Sequence, residues 1–522
     1  MSGLARTLAV TLTGLEGHLV DVEAHAAAGL PSFTLVGLPD AAVRESRERV
    51  RAALSTCGTS WGERRLTVNL SPADLPKTGT GFDVSLALAV LGARGDLPAR
   101  SLPALARTVF IGELGLDASI RPVRGILPAV RAAVDAGVDT VVVPADCVAE
   151  ARLVPGARVT GAQHLATLIT SLGGRLSPEV LALAEAATPR HSSLVPPVAA
   201  RQGVADLSDV VGQEEARHAL EVAAAGGHHL LLVGPPGAGK TMLAERLPSI
   251  LPELEDEDAV TVTSLHSVAG AFDPEHGLIR TPPLRAPHHT ATRAAVIGGS
   301  GLPRPGDVSL AHRGVLLLDE APEFPSGVLD CLRQPLESGT VTIDRAGGRA
   351  TYPAAFQLVL AANPCPCGKG AGRALECTCS SLQRRRYFSR LSGPLLDRVD
   401  IQLEVGAVTA DELGTHVRGE SSADVAARVR RARQRAARRL EGTPWRLMGE
   451  VPGPWVRERT ARADAALVAP LMDALDRGDL SLRGVDRVLR LAWTLADLAG
   501  EQRPGVAELG TALSLRTRGA LS

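Results

Sequence analysis

Apolar and polar positions follow two different periods in the first third of the chain. Four short runs in which apolar residues dominate are typical of strands: FTLVGL, RLTVNL, TVFIGELGL and TVVVPAD. Between them lie stretches such as AVRESRERVRAAL, where apolar residues recur at helical spacing. This mixture predicts an α/β or α+β domain over residues 1–185.

The spacing of apolar residues in the middle of the chain differs from their spacing at its end. Four nearly continuous apolar runs between residues 206 and 406, HLLLVG, GVLLLDE, FQLVLAAN and VDIQLEV, are typical of strands buried on both faces of a parallel sheet. Residues 407–522 are rich in Ala, Leu and Arg at helical spacing and predict a helical lid. Residues 186–205 have no sustained apolar period, which indicates a linker.

Length and composition restrict the number of domains and the possible binding partners. A chain of 522 residues is too long for one core and suggests about three domains. Because 56 basic residues face 57 acidic ones, any binding to nucleic acid or membrane must be local. An aromatic content of 2% argues against an extended base-stacking platform. We find no signal-peptide pattern and no apolar run of membrane-spanning length, so we expect a cytoplasmic protein.

The segment GPPGAGKT follows the apolar strand HLLLV and opens the helix TMLAERL, which is the context that a phosphate-binding loop requires. Backbone N–H groups of such a loop wrap the phosphates, its lysine reaches the β and γ oxygens, and its hydroxyl takes Mg²⁺. The alternative is a chance glycine turn. The predicted nucleotide-binding residues are Gly234, Pro235, Pro236, Gly237, Ala238, Gly239, Lys240 and Thr241.

The strand GVLLLDE ends in Asp319 and Glu320. Open α/β sheets bind ligands at the carboxyl ends of their strands, so an acidic pair there favours a catalytic role. We predict that Asp319 holds Mg²⁺ and that Glu320 polarises the water that attacks the γ-phosphate. For Glu320 alone, capping of a following helix is the alternative.

Four of the seven cysteines lie within fifteen residues, in a C-x-C, nine residues, C-x-C arrangement. Thiols stay reduced in the cytoplasm, so clustered cysteines indicate metal ligands or redox groups before disulfides. Four thiolates are enough for a closed tetrahedral Zn²⁺ site, and free thiols or a redox pair are the alternatives. The predicted ligands are Cys365, Cys367, Cys377 and Cys379.

Three further features carry weaker signals. GTVTIDRAGGRATYP reads as a hairpin that would project from the core and place Arg345 and Arg349 where they could contact DNA phosphates, although a solvated hairpin explains it equally well. The basic helix RVRRARQRAARR, at residues 428–439, could meet DNA or a neighbouring subunit, but a solvated face is the default. The role of His288 and His289 stays open.

The chain order of these features resembles that of AAA+ ATPases: a phosphate loop, an acidic strand, a strand ending in Asn363, Arg398 before the next strand, and SLRG in the lid with Arg483. The resemblance implies that Asn363 is a sensor, that Arg398 is an arginine finger supplied to a neighbouring subunit, and that Arg483 is a second sensor. For Arg398 an ordinary ion pair is the alternative, and Arg390 and Arg487 are rivals for the two arginine roles.

Within AAA+ proteins, the segments LRAPHHTAT, GDVSLAHRGVLLLDEAPEF, LRQPLESGTVTIDRA and AANPCPCG resemble the ComM/YifB family of magnesium-chelatase-like ATPases over nearly the whole chain. The resemblance implies a homo-hexameric, ATP-driven motor that acts on single-stranded or branched DNA, with branch migration in natural transformation. A subunit that drives Mg²⁺ insertion into porphyrin is the alternative. The N-terminal domain and the cysteine cluster speak against it.

The segments LPKTGTGFDVSLALAVL and GELGLDASIRPVRGILPAV resemble the proteolytic domain of Lon, which uses a Ser and Lys dyad. Gly81 stands where the nucleophilic serine would be, and Leu127 stands where the lysine would be. Glycine has no nucleophile and leucine cannot accept a proton. We therefore expect a fold relative without peptidase activity that serves assembly or partner binding.

Overall fold

The computed structural model describes residues 3–59, 64–186, 205–299, 303–345, 348–370, 377–407 and 419–517. The predicted linker, 186–205, lies outside these ranges except for its two end residues. The domain boundaries proposed from the sequence therefore stay predictions. No helix in the described ranges is both long enough and apolar enough to cross a bilayer.

The N-terminal region is a mixed sheet packed with helices, as the sequence predicted. Its strands are β1 (Gly3–Thr13), β2 (Glu16–Ala28), β3 (Ser32–Val36), β4 (Arg64–Ser71), β5 (Val109–Phe110), β6 (Glu113–Leu114), β7 (Ile120–Arg121), β8 (Thr140–Pro144) and β9 (Arg158–Ala162). Its helices are α1 (Ala41–Thr56), α2 (Asp83–Arg94), α3 (Leu102–Leu105), α4 (Ile126–Asp135), α5 (Val148–Ala151), α6 (Leu165–Ser171) and α7 (Pro178–Ala186).

The main sheet of this region has the strand order β3-β4-β2-β1-β5-β8-β9. Strands β1 and β2 pair antiparallel along their whole length, whereas β5, β8 and β9 continue the sheet in parallel from β1. Helix α2 is buried along almost its entire length against β1 and β2, because ten of its eleven buried residues are small or apolar and the eleventh, Asp83, is paired with Arg49.

The middle region contains a parallel sheet in the order β11-β12-β15-β10-β16. Its elements are α8 (Glu214–Gly226), β10 (Leu230–Val233), α9 (Lys240–Ile250), α10 (Asp256–Ala269), β11 (Leu284–Arg285), α11 (Arg293–Ile297), α12 (Asp307–Leu310), β12 (Val315–Leu318), α13 (Ser326–Cys331), α14 (Arg333–Ser338), β13 (Thr340–Arg345), β14 (Gly348–Pro353), β15 (Gln357–Ala362), α15 (Ser381–Phe388), α16 (Gly393–Leu396) and β16 (Ile401–Glu404). Strands β10, β12 and β15 are buried at every position, which confirms the α/β prediction.

Strands β13 and β14 form the predicted antiparallel hairpin. One face of the hairpin does not project freely, because Val341, Ile343, Ala350 and Tyr352 are at most 3% exposed and pack into the core. The opposite face, which carries Arg349, is open to solvent. Only this face is available to a partner.

The C-terminal region is helical, with α17 (Ser422–Arg439), α18 (Gly453–Ala463), α19 (Ala465–Asp476), α20 (Leu482–Ala499) and α21 (Val506–Thr517). These helices share one hydrophobic cluster with α8, α9 and the sheet. A buried hydrogen-bonded chain crosses the junction, since His228 contacts Asp400 at 3.0 Å and Thr494 of α20 at 2.8 Å. The lid is thus packed on the nucleotide-binding core.

The basic segment of α17 is divided between internal contacts and solvent. Arg428 forms ion pairs with Glu221 and Glu420, and Arg433 donates to the carbonyl of Ala224 at 2.7 Å. Arg439 pairs with Asp497, and both side chains are less than 10% exposed. Arg428 and Arg433 thus attach the lid to the core, whereas the pair of Arg439 and Asp497 lies within the lid. Arg430, Arg431 and Arg438 are exposed, so the solvated face expected from the sequence is present on part of the helix.

Candidate nucleotide-binding site

The site is built where β10, β12 and β15 end at the same edge of the sheet. Strand β10 leads into Gly234, β12 into Asp319, and β15 into Asn363. The loop after β10 is tied to β15 because Gly234 N donates to Ala362 O at 3.1 Å. Parallel pairing therefore brings together side chains that lie more than 100 positions apart in the sequence.

The phosphate loop depends on its glycines for shape. Gly237 and Gly239 have φ values of +80° and +85°, which L side chains rarely adopt. A side chain at Gly234 would place its Cβ about 2.2 Å from the carbonyl oxygen of Val405. The glycines therefore let the loop turn tightly into the start of α9, where the N–H groups of a helix N-terminus can face an anion.

Lys240 closes the loop from within. Its Nζ donates to the carbonyls of Gly234 at 2.7 Å and Pro235 at 3.0 Å, and to Oδ1 of Asn363 at 3.2 Å. Burial lowers the pKa of Lys240, and the carboxylates of Asp319 and Glu320 oppose that shift. The ammonium group thus stands between the loop and the acidic pair, where phosphate oxygens would compete for it.

Thr241 and Asp319 supply a pair of oxygen ligands. The hydroxyl Oγ1 of Thr241 donates to Oδ2 of Asp319 at 2.7 Å, and Oδ1 of Asp319 accepts from the backbone N–H of Glu320 at 2.9 Å. Mg²⁺ prefers hard oxygen ligands and is usually bound by one or two protein groups together with phosphates and water. The two side chains fit that donor set.

Glu320 occupies a strained backbone position. Its φ of +51° is uncommon for a residue with a side chain, and such strain concentrates at functional sites. The side chain makes no capping hydrogen bond to the turn that follows it, which removes the capping alternative. Its Oε2 lies 3.1 Å from Nδ1 of His289.

The two candidate arginines lie together, away from the phosphate loop. Arg398 pairs with Glu337, and Arg483 with Asp397 at 2.9 Å. In the described ranges neither arginine contacts the loop from Gly234 to Thr241. Burial and the neighbouring guanidinium groups of Arg483 and Arg333 lower the pKa of Arg398.

The two rival arginines have local partners. Arg390 pairs with Glu323 at 3.0 Å. Arg487 is only 7% exposed at the junction of core and lid, 3.5 Å from Asp400, and burial lowers its pKa to about 10. An arginine enclosed in this way belongs to the packing between core and lid.

The four cysteines converge as the spacing suggested. Cys365, Cys367 and Cys377 have Sγ separations of 3.2, 3.7 and 3.7 Å, and all four Sγ atoms lie within 4.8 Å of one another. Ligands at 2.3 Å from a tetrahedral zinc ion would be about 3.8 Å apart. The thiols are free, and a backbone hydrogen bond from Lys369 lowers the pKa of Cys367 to about 6.

The cluster adjoins the nucleotide site. Cys365 lies two residues after Asn363, and the backbone at Gly368 approaches Pro236 of the phosphate loop so closely that a Cβ there would lie 2.6 Å from Pro236 Cγ. Helix α15 begins directly after Cys379, with a capping box formed by Ser380 and Gln383.

The candidate DNA contacts are only partly described. Arg349 lies 3.4 Å from Asp344, and both side chains are at least 70% exposed. The side chain of Arg345 and the tip of the hairpin lie outside the described residues.

Two residues at the site were not assigned from the sequence. Gln213 has a φ of +53° and donates through Nε2 to the carbonyl of Gly406 at 2.6 Å, next to Ala238 of the phosphate loop. No sequence signal marked it. His289 was singled out as part of a histidine pair, but its contact with Glu320 depends on the folded sheet.

Of the two positions that resemble the Lon dyad, Leu127 is enclosed by packing and Gly81 is half-buried. Leu127 is 1% exposed, and its backbone N–H donates to Glu150 at 2.8 Å. Glu150 also accepts from Ser267 on α10 of the nucleotide-binding core, and burial raises its pKa. Lys77 is buried and donates to the carbonyl of Pro72. The former dyad region thus lies next to the junction with the core.

Comparison with known proteins places this arrangement in a family. The family model described as magnesium chelatase, subunit ChlI, matches residues 206–413, that of subunit ChlI of Mg-chelatase matches 22–147, and that of its C-terminal part matches 419–516. The chain is also 34% identical over 169 residues to Lon protease 2 of Bacillus subtilis, a match that covers 30% of each chain.

Similarity extends over nearly the whole chain in two further relatives. YifB of Escherichia coli is 39% identical over 486 residues, or 93% of this chain and 91% of that protein. Competence protein ComM of Haemophilus influenzae is 39% identical over 511 residues, or 96% of this chain and 95% of that protein. The chain therefore belongs to the ComM/YifB family of magnesium-chelatase-like AAA+ ATPases.

Proposed function

We propose that this protein hydrolyses ATP and uses the energy to move along DNA, as a helicase or branch-migration motor. The observation that carries the hydrolytic part is the convergence of Lys240, Thr241, Asp319, Glu320 and Asn363 at one sheet edge. Mg²⁺ held by Thr241 and Asp319 would supply charge neutralisation for the phosphates. Glu320 takes the proton of the attacking water, and Asn363 and Lys240 orient the γ-phosphate.

DNA as the partner is supported by the relative called competence protein ComM and by exposed basic surface. Helix α15 carries part of this surface. The side chains of Arg384, Arg385 and Arg386 are exposed and form no hydrogen bond or ion pair with another described residue. Unpaired guanidinium groups beside a cysteine cluster suit phosphate contacts, which weaken as salt rises.

A homo-hexameric ring is proposed from the arginines. Arg398, Arg483 and Arg333 lie close enough to lower the pKa of Arg398, yet neither Arg398 nor Arg483 contacts the phosphate loop within the described part of its own chain. Arg398 and Arg483 pair with Glu337 and Asp397 of their own chain, and an anion from outside would compete with these carboxylates. The γ-phosphate bound by a neighbouring subunit is such an anion, so Arg398 would act across the interface.

The cysteine cluster is proposed as a structural Zn²⁺ site. Four thiols with separations near those of a tetrahedron need no rearrangement of the backbone to bind the ion. Bound zinc would fix the start of α15 and the segment that touches Pro236. Its role is to brace these two elements, and it takes no part in hydrolysis.

Two other activities are less well supported. Insertion of Mg²⁺ into porphyrin is the runner-up, because the family models carry the name of magnesium chelatase. The resemblance of the N-terminal segments to Lon and the cluster of four cysteines speak against it. Peptide hydrolysis is disfavoured because Gly81 and Leu127 occupy the positions that resemble the Lon dyad.

The test is branch migration on a synthetic four-way junction by purified full-length protein, with ATP and with a non-hydrolysable analogue. We expect ATP-dependent movement by a hexamer, strongly reduced when Arg384, Arg385 and Arg386 are all replaced by alanine. An ATP-hydrolysing hexamer that neither binds DNA nor moves the junction would refute the DNA motor. Restoration of porphyrin metallation in a chelatase-deficient strain would favour the runner-up.

A further inference from the structure

His289 lies on the same side of the sheet as the acidic pair. Strand β11 pairs in parallel with β12, so the chain leaves both strands at the same edge, towards His289 in one case and Glu320 in the other. Nδ1 of His289 is 3.1 Å from Oε2 of Glu320. The side chains are 34% and 51% exposed, so this contact faces the open side of the site.

Glu320 has few other restraints on its carboxylate. In the described ranges, His289 is the group that its side chain contacts, whereas its backbone N–H is bound to Asp319. A half-exposed glutamate has three rotatable bonds and does not keep one orientation by itself. The direction of the carboxylate is therefore set by the histidine.

The segment that carries His289 is fixed at both ends. Before it, Arg285 forms an ion pair with Asp307. After it, the side chain of Thr292 caps α11. The ring of His289 also stacks on that of His288, with 4.1 Å between ring centroids. A histidine whose position is fixed in this way can restrain the orientation of the Glu320 carboxylate.

From this geometry we propose that His289 is the positioning residue for Glu320, orienting its carboxylate towards the attacking water. The inference rests on the proposed role of Glu320 as general base. When water attacks, the new O–P bond forms as the bond from the γ-phosphorus to the β-γ bridging oxygen breaks, and the water proton passes to Glu320. His289 keeps its own proton and holds Oε2 through Nδ1, which lies 3.1 Å away.

Nucleotide binding should not depend on His289. The contacts that would hold phosphate and Mg²⁺ belong to Lys240, Thr241 and Asp319, and none of them involves His289. Loss of the histidine should therefore lower kcat without changing KM or the affinity for nucleotide. A merely structural role for the loop would change all three.

The experiment compares His289→Ala with His289→Gln in the full-length protein. Misplacing a reacting group by about 1 Å can cost up to about 100-fold in rate, so we expect His289→Ala to lower kcat by about 10- to 100-fold. KM for ATP and Kd for a fluorescent ATP analogue should stay within about twofold of wild type. Because glutamine can still donate an N–H group to Oε2, His289→Gln should recover most of kcat.

A matched control is available in His276, whose Nδ1 lies 3.3 Å from Asp273 in another exposed histidine-carboxylate pair. His276→Ala should leave kcat unchanged, and unfolding midpoints should show that all variants fold. An active wild type with unchanged or increased kcat in His289→Ala would overturn the inference, as would failure of His289→Gln to restore it or a parallel loss of nucleotide affinity. A wild type without ATP hydrolysis would instead refute the proposed function itself.

Discussion

Two buried lysines differ in their surroundings, one at the nucleotide site and one in the region that resembles Lon. Lys240 and Lys77 both donate to backbone carbonyls, and burial lowers the pKa of each. Lys240 also faces the side chain of Asn363 and the acidic pair that ends β12. The acidic residue that acts on Lys77 is Asp74, from its own loop. A buried lysine becomes functional only where several strand ends converge on it.

The largest expected effect comes from Lys240→Ala. This change removes the ammonium group that would bind the β and γ oxygens, so we expect no ATP hydrolysis above background, measured by phosphate release. Lys240→Arg provides the matched control, because it keeps the charge but not the compact ammonium geometry, and should also be inactive. Hydrolysis by Lys240→Ala at the wild-type rate would show that the two lysines do not differ as described.

Arg398→Ala tests whether the site is completed by a second subunit. An arginine finger contributes about 10³-fold or more to hydrolysis, so kcat should fall by about that factor while nucleotide binding persists. Mixing Arg398→Ala with Lys240→Ala should restore part of the activity, because some interfaces then combine an intact phosphate loop with an intact arginine. No recovery in mixed oligomers would argue against action across an interface.

The double variant Cys365→Ser and Cys377→Ser tests whether the cysteine cluster binds zinc and stabilises the phosphate loop. Protein purified without chelator should contain one zinc ion per chain by plasma mass spectrometry, and the double variant should contain none. We expect a lower unfolding midpoint and weaker nucleotide binding in the variant. Serine at the distant buried Cys57 serves as a control that should leave zinc content unchanged.

Acid should weaken the nucleotide-binding core. Burial lowers the pKa of His229 and His312 to about 4, and the Nδ1 atoms of these residues accept hydrogen bonds from Leu358 and Ala355. The unfolded chain therefore binds more protons between pH 6.5 and pH 4, so stability falls as pH falls through that window. Each histidine can contribute on the order of 3 kcal/mol.

This acid effect can be followed by tryptophan fluorescence, since Trp445, Trp455 and Trp493 lie in the lid that shares its cluster with the core. The unfolding midpoint should drop most steeply between pH 6 and pH 4. His312→Gln should flatten the profile, because glutamine has no titrating group. A midpoint that rises as pH falls through this window would contradict the assignment.

The smallest effect is expected at Lys77. Replacing it by methionine removes a desolvated ammonium group and leaves the carbonyl of Pro72 without its partner, two effects that oppose each other. The free energy of unfolding should change by about 1 kcal/mol or less, measured by urea denaturation. ATP hydrolysis should not change.

The sequence predicted those parts of the site whose chemistry demands a local pattern. The phosphate loop needs glycines beside one lysine, and the acidic pair must end a buried strand, so both could be found without coordinates. Strands β1 and β2 were missed because GLARTLAVTLT and EGHLVDVEAHAAA are rich in Ala and Thr and show weak alternation. Small residues are buried there because α2 packs closely on them.

Contacts between segments that are distant in the chain could not be predicted from the sequence. The sequence of α17 predicted a solvated basic face, but two of its arginines, Arg428 and Arg439, pair with Glu221 and Asp497, which are far away in the sequence. The same limit applied to His289, whose partner Glu320 is brought to it by the pairing of β11 with β12. Charge and residue type were visible, whereas the direction of each side chain required the fold.

The most direct test of the account is ATP hydrolysis by the purified chain, measured with and without single-stranded DNA, for wild type, Lys240→Ala and Lys77→Met. We predict hydrolysis that DNA stimulates, that is absent in Lys240→Ala, and that is retained in Lys77→Met. Hydrolysis that survives in Lys240→Ala, or that is the same with and without DNA in an assembled ring, would contradict the account.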